Sequence, residues 1–230
     1  MTRSQGSRDW VEWHRPYDVP GSSLAVRLAL VKAHITQAFD EAAPGPIQVI
    51  SMCAGQGRDI IGAVRHHPRK PDVRARLVEL DPANAAIARE LADAADLPLV
   101  EVVTGDASVS DAYVGAAPAQ VVLACGIFGN VSDQDIERCA RWLPMLCESG
   151  ATVVWTRHRR PPDLTPTIRR WFEEAGFSEI ARDEPGDLPY VGVGAHRWPG
   201  EAGVLRSEVG FFRFLDDVRA APRRVESAPC

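Results

Sequence analysis

Apolar residues in this chain follow two rhythms. Short β-branched runs occupy 47–52 (IQVISM), 75–80 (ARLVEL), 99–104, 120–125, 151–156 (ATVVWT) and 177–181, bounded by glycine, proline or polar clusters. Each predicts a strand. Between them, apolar residues recur at helical spacing. Val26, Leu30, Val31, Ile35 and Phe39 predict a helix over 24–39, opened by Gly21-Ser22-Ser23. Further helices are predicted from Arg58 to near His67-Pro68, over 83–95 behind Asp81-Pro82, from Ser132 or Asp133 to Leu146, and over 165–175. Segments 190–198 and 210–215 are predicted as two closing antiparallel strands. Alternation at this spacing implies a parallel sheet with helices on both faces and right-handed crossovers. In such a sheet a ligand binds beyond the carboxyl ends of the strands, at the point where strand order reverses. Residues just after each strand are therefore the candidates for function.

Composition narrows the field. At 230 residues the chain can bury a sizeable core, and one α/β domain is the simplest count. A net charge of −5 speaks against a nucleic-acid partner, since phosphate binding favours a basic face. No apolar run is long enough to span a bilayer, and no leader pattern opens the chain. Five cysteines include no CxxC and no zinc spacing; an odd count without a leader implies reduced thiols and a cytoplasmic protein. The first eight residues and the tail after about Ala220 read as frayed termini.

The stretch after the first strand carries the chemistry. Cys53–Gly57 is a tight turn, and Gly55 and Gly57 let backbone approach a ligand closely. The helix start that follows offers unpaired N–H groups suited to an anion. Glu79 ends the second strand, 22 residues after Gly57, where a carboxylate can accept both hydroxyls of a ribose. The alternative is a solvated surface acid; the glycine turn upstream favours the ribose. Asp81 reads as a helix cap rather than a ligand. Asp106 either accepts from an adenine amine, with Ala107 N–H on a ring nitrogen, or caps a helix over 107–114. A dinucleotide-binding motif needs a third glycine where Ile60 stands, and a phosphate-binding Gly-Lys-Ser/Thr is missing.

Gly55-Gln56-Gly57, Glu79-Leu80-Asp81-Pro82, Gly105-Asp106-Ala107 and Cys125-Gly126, in this order after successive strands, resemble the class I S-adenosylmethionine-dependent methyltransferases. The similarity runs from about Ile47 to Ala175. It implies a Rossmann-like, mostly parallel seven-stranded sheet with an antiparallel last strand and helices on both faces. It implies S-adenosylmethionine as cofactor. Ala54, Gly55 and Gly57 would line its methionine and ribose, Glu79 would hold the ribose, Asp106 and Ala107 the adenine, and Cys125-Gly126 would face the methionine amine. Cys53 and Leu80 belong to the same contacting set. Two positions depart from the family: Ser51 replaces the usual acid ending the first strand, and Cys53 replaces the first glycine of the turn. Residues 1–40 would form a helical cap over the pocket, 41–220 the cofactor-binding methyltransferase domain, and 221–230 a frayed tail.

On the acceptor side, His14 and Tyr17 stand in an unusual aromatic segment with Trp10 and Trp13, which either walls a pocket or staples the first helix to the core. Asn130 is a substrate contact or a turn residue. His158, in an Arg-rich loop after the fifth strand, is a base or part of a solvated surface. His34, His66 and His67 read as helix-surface residues and His196 as structural. No acidic triad suggests a metal. The expected reaction is methyl transfer to the O, N or C of a small molecule, without membrane association and with a homo-oligomer left open. The competing functions are a non-catalytic nucleotide-binding regulatory module and an NAD-linked oxidoreductase.

Overall fold

A computed structural model describes residues 10–186, 188 and 190–215. The predicted tail at 221–230 and the first eight residues lie outside them. The described chain runs α1 (Trp10–Trp13), a 3-10 turn (Arg15–Asp18), α2 (Ser23–Glu41), β1 (Ile47–Met52), α3 (Arg58–Val64), β2 (Val73–Glu79), α4 (Pro82–Ala94) and β3 (Val100–Thr104). It continues through β4 (Ala119–Ala124), α5 (Asp133–Trp142), β5 (Cys147–His158), α6 (Thr165–Glu174), β6 (Ser178–Asp183) and β7 (Val191–Arg197).

The seven strands form one sheet in the order β3-β2-β1-β4-β5-β7-β6. β7 is antiparallel to both its neighbours and the other pairings are parallel. Side chains alternate between the two faces of each strand. Val49, Val121, Leu123 and Val154 face one side, where Ile35 and Phe39 of α2 and Ile60, Ile61 and Val64 of α3 cover them. Ile50, Met52, Val122 and Trp155 face the other, under Ile136 and Cys139 of α5 and Ile168 and Phe172 of α6. The helix starts are local chemistry. Ser22 Oγ accepts from Ala25 N at 3.1 Å, Asp81 Oδ1 from Ala83 N and Asn84 N at 2.8 and 3.0 Å, and Ser132 Oγ from Asp135 N at 3.2 Å.

Three expectations need correction. Segment 210–215 does not enter the sheet. It makes isolated bridges from Gly210 to Val109 and from Phe214 to Val131, and buries Phe211 and Phe212 against the α5 side of the core. Two aromatic anchors of this size are better buried between elements than spread along an edge strand. The helix after the glycine turn stops at Val64, short of His67-Pro68. His34 and His67 are not free surface residues: His34 Nε2 lies 2.5 Å from Asp183 Oδ2, and His67 Nε2 lies 3.2 Å from Asp40 Oδ1.

His196, on β7, is fully buried. Its ring stacks 4.7 Å from Phe172, and its Nδ1 accepts from Trp155 Nε1 at 3.2 Å. Burial penalises the imidazolium and lowers its pKa from 6.5 to about 4. The unfolded chain takes up the proton first as pH falls. The stabilisation from neutral His196 is therefore complete above about pH 6.5 and is lost on the way down to about 4, some 3 kcal/mol in all. Urea unfolding at pH 7 and 4.5 should show a steeper loss for wild type than for His196→Gln, which keeps an acceptor for Trp155 but does not titrate. Equal slopes would overturn this account of His196.

Candidate functional site

Between β1 and β4 the strand order reverses: β2 and β3 lie to one side, β5 to the other. A cavity of about 470 Å³ opens at the carboxyl ends of these strands. Its walls are the turn after β1, the start of α4, the turn after β4, the aromatic segment 10–18 and one face of α2.

The turn after β1 is strained backbone with a purpose. Cys53, Gly55 and Gly57 have φ of 50°, 56° and 65°, a region that costs any side chain but is free for glycine. Gly57 serves packing: a Cβ there would lie 2.6 Å from Leu77 Cδ2 and 3.0 Å from Ile61 Cδ1. It stands behind the turn and does not line the cavity. Gly55 does line it, and its N–H donates to Glu79 Oε2 at 2.7 Å. Asp81 N donates to the other oxygen, Oε1, at 2.8 Å. The Glu79 carboxylate is thus buried, held by one backbone N–H on each oxygen, with further acceptor capacity toward the cavity. Burial raises its pKa, and the two N–H bonds act against that rise. Leu80, exposed, and Asn84, buried, continue this wall.

Segment 10–18 sits on the turn. A Cβ at Gly55 would fall 2.4 Å from His14 Nε2, so the His14 ring occupies the space the missing side chain leaves. Trp13, His14 and Tyr17 form one ring cluster, with centroids 5.2 to 6.1 Å apart. Polar contacts tie the segment down: Asp18 pairs with Arg58 at 2.5 Å, Arg58 Nε donates to Gln56 Oε1 at 2.8 Å, and Gln56 Nε2 donates to Asn84 Oδ1 at 3.2 Å. Tyr17 Oη accepts from Arg27 Nη2 at 2.7 Å, and burial raises its pKa. α2 packs on the sheet and also lends Arg27, Leu28 and Val31 to the cavity wall.

The opposite wall is the turn after β4. Gly126 N donates to Thr156 Oγ1 at 2.8 Å, and Asn130 Nδ2 donates to Gly126 O at 2.9 Å. Asn130 therefore serves the turn and lines the cavity at once. The Cys125 thiol also lines it, its pKa raised by burial.

The structure brings His14, Tyr17, Asn130, Cys53, Ala54, Gly55, Glu79, Leu80, Cys125 and Gly126 to one cavity. It leaves out four of the residues singled out in the sequence. Gly57 is behind the turn. Asp106 is exposed and accepts from Ser108 N at 2.8 Å, and Ala107 is buried with its carbonyl bonded to Tyr113 Oη at 2.6 Å. The helix over 107–114 is only a 3-10 turn, Ser110–Tyr113. His158 is exposed at the end of β5 and does not line the cavity; part-burial and the charges of Arg157 and Arg160 lower its pKa. β5 runs on past Thr156, and this carries His158 beyond the wall. Sequence reading missed Arg27, Asp59, Asn84, Thr156 and Phe214. Asp59 follows the glycine turn closely enough to have been a candidate; the others carry no local signal. Among the described residues no group of three or more His, Cys, Asp or Glu side chains is placed to hold a metal ion, and no helix is long and apolar enough to cross a membrane.

No protein-family model matches the chain, and no curated protein matches it in sequence. Solved structures do match in shape. The CurJ carbon methyltransferase superposes with a TM-score of 0.63 at 15% identity, over 84% of this chain and 59% of that one. An O-methyltransferase family protein from Burkholderia thailandensis gives 0.57 at 16% identity, over 84% and 63%. Magnesium protoporphyrin IX methyltransferase from Synechocystis PCC 6803, solved with bound SAH, gives 0.63 at 11% identity, over 82% and 93%. The chain thus spans about three fifths of the first two. From strand order, crevice and superposition together, this chain has the fold of the S-adenosylmethionine-dependent methyltransferases.

Proposed function

We propose that the chain binds S-adenosylmethionine in the cavity between β1 and β4 and transfers its methyl group to a small-molecule acceptor. The observation that carries this reading is Glu79: a buried carboxylate, pinned by Gly55 N and Asp81 N at the end of β2, beside a glycine turn in the crevice of a reversed strand order. Its remaining acceptor sites suit a pair of ribose hydroxyls. Ala54 and Gly55 present backbone to the same space, and Leu80 offers an apolar edge for a base. When bound, the cofactor supplies a methyl already activated on a sulfonium. The chain's own part is positioning and the exclusion of water. The rings of Trp13 and Tyr17 wall the cavity, where a cation is attracted to their faces. His14 and Asn130 stand on the acceptor side: the His14 imidazole can accept a proton, and the Asn130 amide steadies the Gly126 turn. His158, outside the wall, has no part in this scheme. The cavity volume falls in the range of small-molecule sites, as a bound cofactor requires. The cytoplasm, where thiols stay reduced, suits the free cysteines.

Incubation with methyl-labelled S-adenosylmethionine and a panel of small phenols, amines and carbon acids should transfer label to at least one class. Absence of both transfer and S-adenosylhomocysteine binding at saturating dose would sink the reading. Binding without transfer to any panel member would favour the regulatory module instead.

A further inference from the structure

Resting on that reading, we propose that Arg27 and Asp59 form a receptor for the α-amino-acid end of the cofactor, Arg27 taking the carboxylate and Asp59 the ammonium. The two residues come from different elements, the second turn of α2 and the start of α3, and line the cavity together with Tyr17 and Cys125. Glu79 and Asn84, where the ribose is assigned, line the same cavity.

Neither charge is spent inside the protein. Arg27 donates to the neutral Tyr17 hydroxyl and lies 5.8 and 5.9 Å from the Trp13 and Tyr17 ring centroids. Asp59 Oδ1 accepts from Ile60 N at 2.8 Å. Among the described residues neither takes part in an ion pair, whereas the neighbouring Arg58 is paired with Asp18. Burial raises the Asp59 pKa, and the nearby Arg27 charge acts against that rise. A part-buried, unpaired acid facing a part-buried, unpaired guanidinium is costly unless something bridges them. A simple anion would satisfy Arg27 but be repelled by Asp59, and a simple cation the reverse. A zwitterion with ammonium and carboxylate on the same carbon satisfies both. The assignment also accounts for Ser51. The acid missing from the end of β1 is replaced by one a turn further along the chain, on α3.

Calorimetry with two ligands tests this. S-adenosylhomocysteine carries the amino-acid end; methylthioadenosine shares the adenosyl thioether but lacks it. Wild type should prefer S-adenosylhomocysteine. Arg27→Met and Asp59→Asn should each lower its affinity about 10- to 100-fold, the loss expected for a hydrogen bond to a charged group, and leave methylthioadenosine affinity unchanged. That second ligand also reports whether each variant is folded. An unchanged preference in both variants, or an equal loss of both ligands, overturns the assignment while leaving the cofactor reading in place. Failure of wild type to bind either ligand overturns both.

Discussion

Replacing Glu79 with alanine should lower the affinity for S-adenosylhomocysteine by at least about 100-fold, since two charge-assisted hydrogen bonds to the ribose are lost together. The side chain has a second task that the test must separate. Its two oxygens hold Gly55 N and Asp81 N at 2.7 and 2.8 Å. Without them these N–H groups lose their partners, and the glycine turn loses its link to the end of β2. Glu79→Gln separates the tasks. It keeps the volume and one acceptor oxygen, but its amide nitrogen must face one of the two backbone donors. It should therefore bind weakly and unfold between wild type and Glu79→Ala, since one of the two donors keeps its partner. Calorimetry on both variants, with thermal melts alongside, checks this. Affinity within about twofold of wild type in Glu79→Ala would remove the ribose from Glu79.

The second large effect is on stability. Trp155 on β5 is 1% exposed, at the centre of the aromatic layer between the sheet and α6. Its ring stacks on Phe172 at 5.9 Å and lies 6.1 Å from both Phe128 and His196. The fit is close: a Cβ at Gly194, opposite on β7, would lie 2.4 Å from the indole. Truncation to alanine opens a cavity under Phe172 and leaves His196 Nδ1 without the indole donor. The expected loss is about 3–5 kcal/mol, read as a lowered urea midpoint with an unchanged m-value. The next residue is Thr156, whose hydroxyl accepts from Gly126 N in the cavity wall. Ligand affinity should fall as well, because the wall rests on this layer. A loss below about 1 kcal/mol would mean that the layer repacks freely.

What could be read from the sequence was of two kinds. Periodicity placed β1 at its observed bounds and brought the other strands within a few residues of theirs, because burial on both sheet faces demands near-continuous apolar runs. Local chemistry placed the caps at Ser22, Asp81 and Ser132 and the turn at Gly55 and Gly57, since each depends on neighbours a few residues away. Glu79 was legible because a residue ending β2 beside a glycine turn has little choice of direction. Segment 210–215 was misread as a strand. Its run of aromatic residues, Phe211, Phe212 and Phe214, fits an edge strand as well as an anchored extended segment, and only the partners available in space separate the two.

The cavity's membership belongs to the tertiary structure. Arg27 looks like any polar position on an amphipathic helix until the rotation of α2 on the sheet turns it toward Tyr17. Asp59 sits beside the paired Arg58 and is told apart from it only by the side of α3 it occupies. Asp106 and His158 follow strands just as Glu79 does, yet the bend after β3 and the length of β5 carry them off the wall. Sequence by itself determined the alternation of elements, the helix caps and the acid beside the glycine turn, because these follow from short-range hydrogen bonding and from the period of burial. Which charged side chains meet across the crevice was decided by packing angles between elements far apart in the chain, and no local pattern encodes those.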